Sequence, residues 1–64
     1  MTTPTLSPDQ RRRTEARVLR DCARGNRAMA IDADAVGLPP ECGRNLRTLA
    51  DDEERRAKEL EETP

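Results

Sequence analysis

The residues best suited to chemistry in this chain are four arginines spaced along its first predicted helix. They are Arg13, Arg17, Arg20 and Arg24. Steps of four, three and four residues keep them on one helix face, within about 60° of arc. Guanidinium groups bind phosphates and carboxylates well, so this arginine row predicts a surface for an anionic partner. The same pattern is also typical of a solvated face that pairs with the chain's own acids.

Residues 33–46 carry a second candidate site, because they resemble a degenerate helix-turn-helix. Ala33 precedes the turn glycine Gly37 by four residues, but Gly43 stands where the motif needs an apolar residue. In this alternative the side chains that read DNA bases are Arg44, Asn45, Arg47 and Thr48. The acidic second half of the chain opposes it, since DNA-binding domains are usually basic.

The sequence contains few residues suited to catalysis. The sequence contains no His and no Tyr, so the usual proton-transfer groups near neutral pH are missing. Ser7 has no base beside it, and a chain without aromatic residues encloses a substrate pocket poorly. Asp32 and Asp34 point about 160° apart on a helix and cannot share one ion. We therefore expect no enzyme, no cofactor, no metal site and no small-molecule substrate.

The two cysteines indicate the compartment. Cys22 and Cys42 could form one disulfide in a secreted protein, but residues 1–7 lack the apolar segment of a secretion signal. No apolar run approaches the roughly 18–20 residues that cross a membrane. We expect a cytoplasmic protein with no membrane contact, whose reduced thiols act as small hydrophobic groups. Eleven arginines to one lysine is a composition typical of bacteria with GC-rich genomes, or of their phages.

Start and stop signals divide the chain into helices. Ser7 and Gln10 have the spacing of a capping box with Pro8 between them, which predicts a helix over about 8–24, ended by Gly25. Asn26 then caps a helix over 27–36, and the last helix runs over 40–61. The sequence predicts an all-α fold of two or three helices, a hairpin or small bundle. Residues 7–62 form its single domain, between flexible tails at 1–6 and 63–64.

The supply of large apolar side chains is small. The chain has six Leu, two Val, one Ile and two Met, and each contributes roughly 1.5–3 kcal/mol when buried. Ordering the chain costs on the order of 1.5 kcal/mol per residue. The expected packing stripes are Leu19, Cys22 and Ala23 in the first helix, and Cys42, Leu46, Leu49, Ala50, Ala57 and Leu60 in the last. A partner chain or a second copy is the expected additional stabiliser.

Charge is divided between the halves of the chain. Residues 1–30 hold seven arginines and three acids, a net +4, while residues 31–64 hold five basic and ten acidic residues, a net −5. Together these observations predict a non-catalytic helical interaction or regulatory protein that binds a protein partner or self-associates. The alternative is a small DNA-binding regulator that uses the arginine row or the degenerate helix-turn-helix.

Overall fold

The chain folds into two long antiparallel helices joined by a tight turn. In the computed structural model, which describes residues 5–62, helix α1 spans Pro8–Ala35 and helix α2 spans Pro40–Glu62. No strand occurs within that range. The all-α prediction is confirmed, and the architecture is the two-helix hairpin rather than three helices. Of the predicted tails, residues 1–4 and 63–64 lie outside the described range, and residues 5–7 are not helical.

The predicted start of α1 is confirmed, and the chain leaves this helix at Gly37, where the sequence predicted the end of a separate helix over 27–36. Ser7 Oγ accepts from the Gln10 amide at 3.2 Å, and Gln10 Oε1 accepts from the Ser7 amide at 3.0 Å, which completes the capping box. At the other end Gly37 adopts φ 80°. The Leu38 amide donates to the Ala33 carbonyl at 3.0 Å and the Gly37 amide to the Asp34 carbonyl at 3.2 Å. These two bonds form a Schellman motif that ends the helix.

The predicted break at Gly25 is wrong, because α1 continues through it. Gly25 keeps a helical backbone, and Gly37 is the only glycine of the described chain with positive φ. Asn26, expected to cap a new helix, instead donates its side-chain amide to Glu53 of α2. A glycine inside a helix costs about 1 kcal/mol relative to alanine. Packing of α1 against α2 on both sides of Gly25 offsets that cost.

The helices meet along a line of very small residues, here called the alanine seam. Its members are Ala16, Ala23 and Ala30 from α1, and Gly43, Ala50 and Ala57 from α2, all of them buried. Each member lies seven residues from the next, the spacing that keeps one stripe of a helix facing its neighbour. Because these side chains end at Cβ or lack it, the two backbones can approach closely.

The larger aliphatic side chains, expected in the core, are not buried within the hairpin. No large side chain among residues 5–62 is fully buried, and Met29, Leu49 and Ile31 are 50%, 49% and 66% exposed. Leu19, Leu46 and Leu60 are half-buried, while Cys22 is exposed. The expected stripes therefore enter the core only through their alanines. The physical reason is that each helix has one neighbour, and the seam occupies that contact.

Candidate interaction surfaces

One side of the hairpin carries ion pairs that cross from α1 to α2. Arg20 pairs with Glu61. Arg27 Nη2 lies 2.7 Å from Asp51 and 3.0 Å from Glu54. At the turn end the acid is on α1 and the base on α2: Arg47 Nη1 lies 3.0 Å from Asp34 Oδ2. These seven residues define the charged face. Six of them, all except Asp51, stand four positions after a member of the seam, so the pairs repeat every seven residues.

Arg27 is the centre of this face. Its guanidinium donates to both Glu54 carboxylate oxygens, at 3.1 and 3.0 Å, and to Asp51. The hydrogen bond from Arg27 lowers the pKa of Glu54 below its ordinary value. The pKa of Arg27 is raised above its ordinary value, mainly by the hydrogen bond to Glu54 and next by the hydrogen bond to Asp51. All three side chains remain partly exposed, so the group favours one register of the helices more than it adds stability.

A single hydrogen bond marks the opposite side of the seam. Asn26 Nδ2 donates to Glu53 Oε1 at 2.6 Å, and both residues are half-buried. Each stands three positions after a seam alanine. On a helix, positions three and four after a residue fall on opposite sides of it. These contacts therefore fix which side chains of α1 and α2 share a side.

Most of the larger apolar residues of the helices lie on the Asn26 side. Positions one before and three after each seam member fall on that side. The apolar residues there are Leu19, Cys22, Met29, Ala33, Cys42, Leu46, Leu49 and Leu60, and they define the apolar face. The positions one after each seam member, on the charged side, are Arg17, Arg24, Ile31, Arg44, Asp51 and Lys58. The hairpin is thus a thin slab, apolar on one surface and charged on the other.

The apolar face also carries charged residues in the half of the hairpin away from the turn. Glu15 and Arg56 each precede a seam alanine, and together with Glu59 and Leu60 they line one shallow depression. At the opposite end the face runs into the turn, where Val36 and Leu38 are 74% and 50% exposed.

The sequence pattern predicted the arginine row on the helix face opposite the packing stripe. In the structure the row lies beside the seam instead, since Arg20 reaches across to α2. Arg20 crosses to Glu61, which is the internal pairing considered from the sequence. Arg13 borders a depression lined by Leu60 and Glu61, and Arg24 borders one lined by Glu54 and Lys58. Arg17 is exposed. The row is therefore divided between structural pairing and an exposed basic edge.

The four base-reading candidates occupy the first turns of α2. Arg47 is held by Asp34, and the Thr48 hydroxyl donates to the Arg44 carbonyl at 3.0 Å. Arg44 and Asn45 are exposed. Ion pairs at both ends of the hairpin show that α2 runs alongside α1, whereas the helices of a helix-turn-helix cross at about 90–120°. The structure brings these residues together on a hairpin, without that crossing geometry.

Cysteine and acidic residues form no further centre. Cys22 and Cys42 are free thiols. Residues 5–62 contain no cluster of three or more Cys, Asp or Glu arranged to hold a metal ion. Over the same described stretch, neither helix combines the length and apolar character needed to cross a bilayer.

The sequence interpretation missed the residues that pair across the two helices. Asn26, Glu53, Asp34 and Arg27 were not assigned to contacts between helices. The signal was nevertheless present as two strict seven-residue series, Ala16–Ala23–Ala30 and Gly43–Ala50–Ala57. Continuing the first series through Gly25 places Arg20, Arg27 and Asp34 on one flank, opposite Glu61, Glu54 and Arg47.

Comparisons with known protein families, curated proteins and solved structures gave no significant match. A functional assignment must therefore be supported by the geometry of the two surfaces.

Proposed function

We propose that this chain is a non-catalytic helical interaction protein that docks on other helices through its apolar face. The observation that carries the proposal is that small and large apolar residues occupy different places in the hairpin. Alanine and glycine hold the hairpin together, while Met29, Leu49 and the half-buried leucines are left on one surface. Apolar surface gathered on one face of a small protein is typical of a binding site.

The slab shape supports docking by helices in particular. The apolar face is a shallow surface formed by two helices, and its depressions are open rather than enclosed. Such a surface suits a partner whose own ridges of side chains fit between α1 and α2. It offers little to a small molecule, which needs a concave site that buries most of its surface.

Site-specific photocrosslinking tests this proposal with a matched control. Met29 and Ile31 flank the buried Ala30 on opposite sides of α1, and Ile31 is the more exposed of the two. A benzophenone amino acid at position 29 should crosslink to protein in the expressing cells, whereas the same group at position 31 should not. Equal yields from the two positions, or no protein adduct from position 29, would contradict the proposal.

A second candidate function is binding of an anionic partner such as DNA at the exposed basic edge. Its support is that Arg17 and Arg24 are exposed on the same flank of α1 as Arg13. Glu54 and Glu61 of α2 border that flank, which weakens the local positive potential. We therefore place protein docking first.

A further inference from the structure

We propose that the occupant of the apolar face is a second copy of this chain, and that the two hairpins form a four-helix bundle. In this bundle the Asn26–Glu53 pairs of both copies meet at the centre. The inference rests on the proposed function, since it names the partner of the same face.

The pattern of apolar residues is that of a helix with two neighbours. A helix in a two-stranded coil needs apolar residues only at the two positions of each heptad that face its partner. In α1 and α2 the seam position is small, and the position three residues later is half-buried, or buried at Ala33. The position just before the seam adds Cys22, Met29, Cys42 and Leu49. This third apolar position widens the stripe to the width found in bundle helices. Two further helices are needed to cover it.

The central polar pair favours a partner that is identical. Asn26 lies midway between Leu19 and Ala33 on α1, and Glu53 lies midway between Leu46 and Leu60 on α2. An unrelated apolar surface would bury this pair against groups that cannot bond it, which is costly. A second copy related by a two-fold axis presents the same pair at the same level. A polar layer of this kind also fixes register and oligomeric state in helical assemblies.

Charge selects how the copies are arranged. Asn26 of α1 and Glu53 of α2 lie at the same level of the hairpin, since their side chains are hydrogen-bonded. A two-fold axis along the hairpin places α1 of one copy on α2 of the other, with both turns at the same end. Glu53 of each copy then faces the Asn26 amide of its partner. If the axis ran across the hairpin instead, α2 would lie on α2 and the two Glu53 carboxylates would face each other, which like charges disfavour.

The area available is sufficient for a dimer. From Ala16 to Val36 the face is about 30 Å long at 1.5 Å per residue, and two helices make it about 20 Å wide. Each copy would therefore contribute about 600 Å², or about 1,200 Å² in total, which reaches the lower end of specific interfaces. An interface of this size predicts a concentration-dependent dimer.

Sedimentation equilibrium on the full chain tests the second copy directly. The wild-type chain should reach twice its single-chain mass at high concentration and dissociate on dilution. Met29→Glu should raise the dissociation constant at least a hundredfold, while Ile31→Glu, on the charged side, should change it less than threefold. A wild-type chain that stays monomeric at about 1 mM, or equal effects of the two variants, would overturn the inference.

The two proposals can fail separately. With the photocrosslinker at position 29, an adduct of two copies supports both. An adduct to a different protein, together with a monomeric wild-type chain, overturns the second copy and leaves the proposed function standing. No adduct at position 29 together with a monomeric chain overturns both.

Discussion

Gly43 shows what limits the size of a side chain at the turn end of the alanine seam. A Cβ built on Gly43 would lie 2.5 Å from Asp34 Oδ1 and 3.0 Å from Arg47 Nη2. The obstruction is therefore the Asp34–Arg47 ion pair, whose side chains are both 47% exposed, and these can move aside. The seam at this position therefore has room for a methyl group but not for a large side chain.

We expect Gly43→Ala to change the free energy of unfolding by less than about 1 kcal/mol. Alanine gains up to about 1 kcal/mol of helix propensity, and displacing an exposed ion pair costs about 0–1 kcal/mol. Gly43→Leu should destabilise the hairpin by about 1–3 kcal/mol through overpacking. Urea unfolding of the three proteins measures both changes. Equal stability of the alanine and leucine variants would show that the helices do not approach closely here.

The Arg27–Glu54 contact predicts a pH dependence. Because Arg27 lowers the pKa of Glu54 in the folded chain, the unfolded chain binds a proton at this residue more readily. The stabilisation is complete above the ordinary pKa of a glutamate and is lost as pH falls through the folded-state value. Between about pH 6 and pH 3, melting temperature should fall further in the wild type than in Glu54→Gln. Parallel curves for the two proteins would contradict the pairing.

At the scale of the element, the glycine inside α1 and the glycine that follows it have opposite roles. Gly25 lies inside the helix with nothing within 4 Å of its missing Cβ, while Gly37 holds φ +80° in the Schellman motif. Gly25→Ala should therefore stabilise the chain by about 0.5–1 kcal/mol. Gly37→Ala should destabilise it by about 1 kcal/mol, since a β-carbon strains that conformation. Thermal unfolding measures both, and a loss of stability in Gly25→Ala would indicate that this glycine serves a contact.

Helix starts and stops could be predicted where the signal is local. Ser7, Gln10 and Gly37 act through neighbours within a few residues, so their roles can be inferred from spacing. The continuation through Gly25 could not be inferred from local signals, because contacts to α2 decide it. The candidate face could be predicted only in part. Large aliphatic residues such as Leu49 were assigned to a core, although the smaller Ala50 beside it occupies the contact.

At the scale of the whole molecule, the arginine row separates the two functional candidates. Changing Arg13, Arg17, Arg20 and Arg24 together to Gln should preserve helicity, since glutamine is a good helix former. It should lower the melting temperature slightly, because only the Arg20–Glu61 contact is lost. If the basic edge binds DNA, the variant should also lose most salt-sensitive retention on heparin. Unchanged retention would remove the DNA-binding candidate and leave association through the apolar face.

The alanine seam also reverses the usual relation between side-chain size and tolerance to mutation. In most small domains the least replaceable residues are large and buried. Here the four alanines with no exposed surface, Ala23, Ala30, Ala50 and Ala57, are among the smallest residues in the chain. A survey of all single substitutions should find that these positions accept only glycine or serine. Exposed leucines and valines in the same survey should vary freely in size, provided that those on the apolar face stay apolar.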